Sequence, residues 1–379
     1  MRNGSGIHTS EDARAIARRR LPWMVFDYID GAAAEGRGEQ LNRRAIVDTR
    51  LQTRILRNVE NRSLHVPLFK KVCELPYGIA PMGMCNLSCP GADTMLARLA
   101  AKFNIPVGAS TAASTSLEDI ASTANGNAWF QLYFGGDRQV SDQLIDRAEA
   151  AGYDVLVFTA DVPEVGRRPR ELRHGFTMPF RIGPRQFFDF AMHPQWSIRS
   201  LLAGAPTLAN FDPVHGQANF DRTRSRAGAD WTFLKQIRDR WKGTLVVKGV
   251  LSVDDAVELV SCGIDAIQVS SHGGRQLDSA PLPFEALGRI RSALGDDFPL
   301  IYDSGIRSGE DIVKAYAMGA NYVMLGRPWQ FAMAADGERG LHTFCDVIRN
   351  ETSITLAQIG IDDISKVDQN VLLHSNQAR

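Results

Sequence analysis

The chain has 379 residues, 44% of them apolar, and its 43 basic side chains balance 43 acidic ones. That apolar fraction excludes a disordered chain, the balance leaves no basic footprint for nucleic acid, and no apolar run approaches the ~20 residues of a membrane-spanning helix. The five cysteines (Cys73, Cys85, Cys89, Cys262 and Cys345) are odd in number and no signal peptide precedes them, so reduced thiols in a cytoplasmic setting are expected.

Residues 1–9 read as a loose terminus. Ser10-Glu11-Asp12 opens a helix running to about Arg20, with a capping hydroxyl and acids in the first turn. Leu21-Pro22 begins a second short helix carrying Trp23, Phe26 and Tyr28, which Gly31-Ala32 ends. Residues 41–75 read as irregular, with strand-like pieces such as Ser63-Leu64-His65-Val66. Cys85 and Cys89 lack a second Cys/His pair nearby, so no metal site is expected there.

A repeat then begins. Short apolar runs at Tyr77–Ala80, Ile105–Ala109, Ala128–Tyr133, Val155–Phe158, Leu245–Val247, Ala266–Val269, Leu300–Tyr302 and Tyr322–Leu325 give eight candidate strands. Helical patterns lie between them at Thr94–Phe103, Leu117–Ala124, Gln139–Ala151, Trp231–Trp241, Val253–Cys262, Pro283–Leu294 and Ser308–Met318. Strands alternating with helices pair in parallel, and eight such units predict a closed (β/α)₈ TIM barrel with an N-terminal helical extension. A doubly wound open sheet is the alternative, but Ala80-Pro81-Met82-Gly83 is not the Gly-rich loop that fold carries after its first strand. The barrel spans about 77–345 of a single domain, 1–379. A long insertion after the fourth strand, about 164–230, has no clear periodicity, which marks a functional loop or a disordered one.

Barrel active sites lie at the C-terminal ends of the strands. Just past the candidate strands stand Pro81 to Gly83, Ser110, Gln131 with Tyr133, Thr159 with Asp161, Lys248, Ser270 with His272 and Arg275, Asp303 with Arg307, and Gly326 with Arg327. Ordinary surface polarity would put such groups on helix faces instead. In Ser270-Ser271-His272-Gly273-Gly274-Arg275 a histidine able to take a proton near neutral pH is close to an arginine able to grip a carboxylate. A base beside a carboxylate clamp suits chemistry at the carbon next to a carboxylate. Asp303-Ser304-Gly305-Ile306-Arg307 and Gly326-Arg327 follow the last two strands, where barrels frequently bind phosphate.

These segments, with Leu245–Gly249, Gln131-Leu132-Tyr133, Thr159-Ala160-Asp161-Val162-Pro163 and Gly166-Arg167-Arg168, resemble the FMN-dependent (S)-2-hydroxy-acid oxidases and dehydrogenases. The likeness runs from about Leu21 to Leu356. It implies oxidation of a 2-hydroxy acid to the 2-oxo acid with FMN as cofactor. It also implies that His272 is the base and that Asp161 stabilises its imidazolium. Arg275 and Arg168 would hold the substrate carboxylate, with Tyr28 and Tyr133 as hydrogen-bond donors to substrate. Lys248 would face the flavin N1–C2=O edge. Ser110, Gln131, Thr159 and Ser270 would bind the isoalloxazine or ribityl groups, and the backbone of Pro81, Met82 and Gly83 would run along the ring. Asp303, Ser304, Gly305, Arg307, Gly326 and Arg327 would take the ribityl–phosphate end. A homotetramer is the assembly the family implies.

Three departures stand out. Arg44-Ala45-Ile46 replaces a frequent Ala-Phe, Ser304 replaces a glycine of glycolate oxidase, and Ala112 replaces a bulky Trp near the substrate side chain. The last predicts that medium or bulky side chains are accepted better than glycolate. Gly83, where several oxidases of the family carry alanine, predicts a dehydrogenase that passes electrons to a quinone or another acceptor; the alternative is an oxidase releasing H₂O₂. Two classes compete: an FMN barrel with other chemistry, such as an isomerase, against which the His272, Arg275 and Arg168 constellation suits a small carboxylate, and a barrel that binds without turnover, against which Tyr28, Tyr133, Asp161 and His272 argue. In the insertion, Phe187-Phe188-Asp189-Phe190 and His193 to Leu202 place Phe, Trp and Leu beside Arg185 and Arg199. This suits a segment lying on the inner face of the cytoplasmic membrane; a lid or a subunit interface would bury the same aromatics.

Overall fold

The computed structural model describes residues 6–176, 182–211 and 225–373. Its centre is a closed barrel of eight parallel strands: Tyr77–Ile79, Val107–Ser110, Ala128–Leu132, Val155–Thr159, Thr244–Val250, Ala266–Val269, Leu300–Tyr302 and Tyr322–Leu325. Closure pairs the last strand with the first, Val323 opposite Tyr77 and Leu325 opposite Ile79. Buried on both faces, such strands read as continuous apolar runs, which is why they were legible. Each expected strand is present.

The barrel helices begin where the sequence supplies a cap. The side chains of Ser116, Asp230, Ser252 and Ser308 each accept from the backbone N–H three residues on, satisfying a donor the helix cannot. The first helix is Ser10–Arg20, as expected, but its capping hydroxyl is that of Thr9, which accepts from Asp12 N. Trp23–Asp30 follows and ends at Gly31. The irregular reading of 41–75 is wrong at its start, because Arg37–Asp48 is a helix. Its buried residues are Asn42 and Ile46. Asn42 does the docking: Nδ2 donates to Ser304 O at 2.9 Å and Oδ1 accepts from Phe284 N at 3.1 Å. Val66–Leu68 and Lys71–Cys73 form a small antiparallel hairpin.

The insertion is more regular than its sequence pattern. It contains helices Pro169–Arg173, Pro184–Met192 and Pro194–Ala203, each with proline in the first turn, where the missing N–H costs nothing. Trp196 is buried, and its indole donates to Leu87 O at 2.7 Å. The expectation that this tryptophan lies on a surface is therefore corrected; it fastens the insertion to the barrel. Residues 177–181 and 212–224 of the insertion lie outside the described residues. Among the described residues, no helix is long and apolar enough to cross a membrane.

Candidate active site

The fourth strand ends at Thr159 and the sixth at Val269, which sets Asp161 and His272 side by side at the barrel mouth. His272 Nδ1 lies 3.0 Å from Asp161 Oδ1, and its Nε2 lies 3.3 Å from the Tyr133 hydroxyl. The histidine adopts φ 56°, a conformation most residues avoid and one that clusters at functional sites. Its own N–H donates to Ser270 Oγ at 3.0 Å, which holds the turn. Asp161 rests against Gly249, where a methyl group would come within 2.5 Å of the Asp161 Cβ and Cγ. That glycine also sits at the register shift between Lys248 and Val250.

Burial pushes the His272 pKa down, against the pull of Asp161. Burial would raise Asp161, but the charges of His272 and Lys248 overcome it and hold the carboxyl below its ordinary range. Asp161 Oδ2 is buried with no hydrogen-bond partner. Burial raises the Tyr133 phenol, so it stays a donor. The pair is therefore a neutral imidazole backed by a carboxylate at neutral pH.

Beneath this pair a polar layer crosses the barrel. Ser110 Oγ donates to Gln131 Oε1 at 3.0 Å, and Gln131 Nε2 donates to Thr159 Oγ1 at 2.9 Å. Opposite, Lys248 Nζ reaches Ser270 Oγ at 2.9 Å and Asp303 Oδ2 at 3.5 Å. Asp303 also accepts from Gln268, Ser270 and Ser304. Burial alone would lower the Lys248 pKa, but Asp303 and Asp161 raise it. A permanent cation thus stands in the interior.

Arg168 and Arg275 converge on the outer end. Both reach Glu171 Oε1, at 3.3 and 3.1 Å. Arg275 Nη1 donates to the carbonyls of Tyr28 and Gly31, at 2.9 and 2.8 Å, so the second helix holds it. Burial, with Arg168 beside it, brings Arg275 down to about 10, still charged at neutral pH. The Tyr28 hydroxyl donates to Gly83 O at 3.4 Å, and its ring stacks on Phe176.

All these elements face one cleft of about 1270 Å³, its open mouth included. Its lining brings together Tyr28, Pro81, Met82, Gly83, Ser110, Tyr133, Arg168, Lys248, His272, Arg275, Asp303, Ser304, Gly305, Arg307, Gly326 and Arg327. Gln131, Thr159, Asp161 and Ser270 stand behind that lining and act on it through hydrogen bonds. Sequence reasoning missed Glu171, Gln276, whose amide straps the carbonyls of Asp161 and Glu164, and Arg226, whose guanidinium lies 5.0 Å over the Tyr133 ring. Glu171 and Arg226 lie in the insertion, away from any strand end, where the signal used for the others could not reach; Gln276 follows Arg275 past the sixth strand, but its partners come from another loop that no local pattern names.

FMN fits this donor set. Arg307 and Arg327 converge at the far end of the cleft beside the Ser304–Arg307 turn, with Arg307 lowered to about 10 by burial and by Arg327. Lys248 marks the middle and Pro81–Gly83 the wall. At Gly326 an added methyl would find nothing closer than Met82 Sδ at 3.7 Å, so the cradle there is open.

With a (β/α)₈ barrel, two arginines at one end of its cleft, a buried lysine and a histidine–aspartate pair at its mouth, the chain has the architecture of a flavoenzyme, and it belongs to the FMN-dependent dehydrogenases, whose family model matches residues 17–374. It is 36% identical to the L-lactate dehydrogenase of Pseudomonas syringae pv. syringae (strain B728a) over 380 residues, covering 97% of this chain and 98% of that one. It is 37% identical to the (S)-mandelate dehydrogenase of Pseudomonas putida over 367 residues, covering 96% and 93%. Among solved structures, the monotopic membrane protein (S)-mandelate dehydrogenase superposes with a TM-score of 0.92 at 36% identity, over 97% of this chain and 99% of that one. A mandelate oxidase superposes at 0.83 with 33% identity, covering 96% and 97%.

Proposed function

We propose that the chain, acting as one unit over 1–379, oxidises an (S)-2-hydroxy acid to the 2-oxo acid and passes the electrons to a quinone. The observation that carries this is His272 Nε2, backed by Asp161 at 3.0 Å and facing the same cleft as Arg168 and Arg275. Arg168 and Arg275 bind the carboxylate and so place the α-carbon near the base, an orientation that lowers the barrier. His272 takes one proton, from the hydroxyl or from the α-carbon, on Nε2. Asp161 then compensates the imidazolium through Nδ1–H. Tyr133, held protonated, and Tyr28 donate hydrogen bonds to the substrate. FMN, when bound, accepts the electron pair that leaves the α-carbon. Lys248 supplies a fixed positive charge along the cofactor's path, of the preorganised kind that stabilises developing negative charge.

Ala112 lines the cleft beside Gly83, and two small residues leave space for a medium or bulky substrate side chain. Of the relatives' names, mandelate, with its phenyl group, falls in that range, and lactate carries a methyl group. The deciding experiment is anaerobic: the yellow protein should bleach on addition of an (S)-2-hydroxy acid. A flavin that stays oxidised with glycolate, lactate, 2-hydroxyisocaproate and mandelate alike would refute the reading.

The insertion supports a membrane-bound acceptor. Phe187, Phe188, Met192 and Ile198 are exposed, and Leu201 and Leu202 are 83% and 84% exposed, with Arg185 and Arg199 beside them. Apolar side chains flanked by cations suit the plane of an anionic bilayer, and a structural relative is monotopic. The second reading, an oxidase, draws on the likeness to mandelate oxidase. After reduction by its best substrate, the enzyme should be reoxidised slowly by air-saturated buffer and fast by a soluble quinone. Full-rate reoxidation by oxygen with stoichiometric peroxide would establish the oxidase instead.

A further inference from the structure

Glu39 stands in the first turn of the Arg37–Asp48 helix, and its Oε1 lies 3.2 Å from both Arg307 Nη2 and Arg327 Nη1. The two arginines that close the far end of the cleft thus already share a carboxylate from the chain. Each also makes one local bond: Arg327 Nη2 donates to Gly273 O, and Arg307 Nη1 donates to Ile306 O. Arg43, a third cation near this end, does not relieve them, since it bonds to Asp311 at 2.6 Å and to Gly305 O at 2.8 Å. Glu39 is also fixed in place. A methyl group at Gly274 would come within 2.8 Å of its Cβ and 3.1 Å of its Cα, so the two backbones are pressed together.

The charges follow directly. Arg307 and Arg327 contribute two positive charges and Glu39 one negative, so one net positive charge faces a phosphate dianion. A phosphate reaching these guanidinium groups must share them with Glu39 or displace it, and must sit near a like charge in either case. At such separations, in a partly screened site, a like charge is a substantial penalty.

We propose that Glu39 is a built-in competitor for the 5′-phosphate of FMN: it keeps the phosphate arginines paired in the flavin-free protein and weakens cofactor retention when FMN binds. This rests on the assignment of Arg307 and Arg327 to the phosphate. The competition acts on the phosphate and not on the ring, so it separates FMN from riboflavin, which lacks that group.

The test uses the full chain stripped of flavin and titrated by quenching of flavin fluorescence. Glu39→Gln keeps the side chain's length and removes its charge. It should tighten FMN by about tenfold or more and leave riboflavin binding unchanged within about twofold; added salt should narrow the FMN difference, as it does for any charge effect. An FMN affinity that is unchanged, or weakened because Glu39 positions the arginines, would overturn the proposal. Arg307→Met and Arg327→Met test the underlying assignment separately. Each should weaken FMN and spare riboflavin, and if both bind FMN like the parent protein the phosphate end itself has been misplaced.

Discussion

Asp161 and His272 come from loops 111 positions apart and meet at 3.0 Å, with the carboxylate on Nδ1 and Nε2 turned to Tyr133. Two opposed influences act on the imidazole: burial lowers its pKa and the aspartate raises it, with burial winning. The imidazole is therefore neutral, and able to take a proton, to below the ordinary value of about 6.5. The acid limb of kcat/KM should fall there, activity being lost as pH drops through the His272 pKa. Asp161→Asn removes the raising influence, so the limb should move further down in pH. Turnover should fall about 10–100-fold, since a charge-assisted hydrogen bond is worth roughly 1.5–3 kcal/mol. A pH profile of the variant that moves up, or does not move, would contradict this.

His272→Asn removes the proposed proton acceptor but touches neither Lys248 nor Arg307 and Arg327. Flavin content should match the parent, and turnover should drop by ~10²–10⁴-fold. Stopped-flow reduction under nitrogen is the measurement, and near-normal reduction in a flavin-replete variant would remove His272 from the mechanism.

Specificity is expected to rest on the wall formed by Gly83 and Ala112. A methyl group at Gly83 would lie 3.2 Å from Ala112 Cβ, so the two positions share one surface. Ala112→Trp should fill the space it borders and turn preference toward glycolate by about tenfold or more, measured as the ratio of kcat/KM for mandelate and glycolate. An unchanged ratio would mean that the side-chain pocket lies elsewhere.

Membrane attachment should depend on a few exposed side chains. Replacing Phe187, Phe188, Leu201 and Leu202 together by Ser removes contributions of about 1.5–3 kcal/mol each on insertion. The variant should appear in the soluble fraction after lysis while retaining turnover with an artificial dye. If the parent protein is itself wholly soluble at low and high salt, the face has another use.

Legibility divided along physical lines. Barrel strands announced themselves because nearly all their residues are buried, and their C-terminal ends led straight to Asp161, Lys248, His272 and Asp303. The Arg37–Asp48 helix was unreadable because it is held by the hydrogen bonds of Asn42 rather than by an apolar stripe. Glu39 and Glu171 escaped notice for a related reason. Each acts by neutralising a pair of arginines that other parts of the chain supply, and no local pattern marks such a meeting. Trp196 was misjudged because an aromatic flanked by polar residues reads the same whether it faces lipid or a barrel wall.

The grip of Arg275 on the carbonyls of Tyr28 and Gly31 joins positions 247 and 244 apart in sequence. Those carbonyls belong to the Trp23–Asp30 helix and its cap, whereas Lys248, Ser270 and Asp303 meet on the barrel alone. The outer end of the cleft and its interior are therefore built by separable parts of the chain. A chain whose first two helices have been clipped should still turn yellow while oxidising nothing.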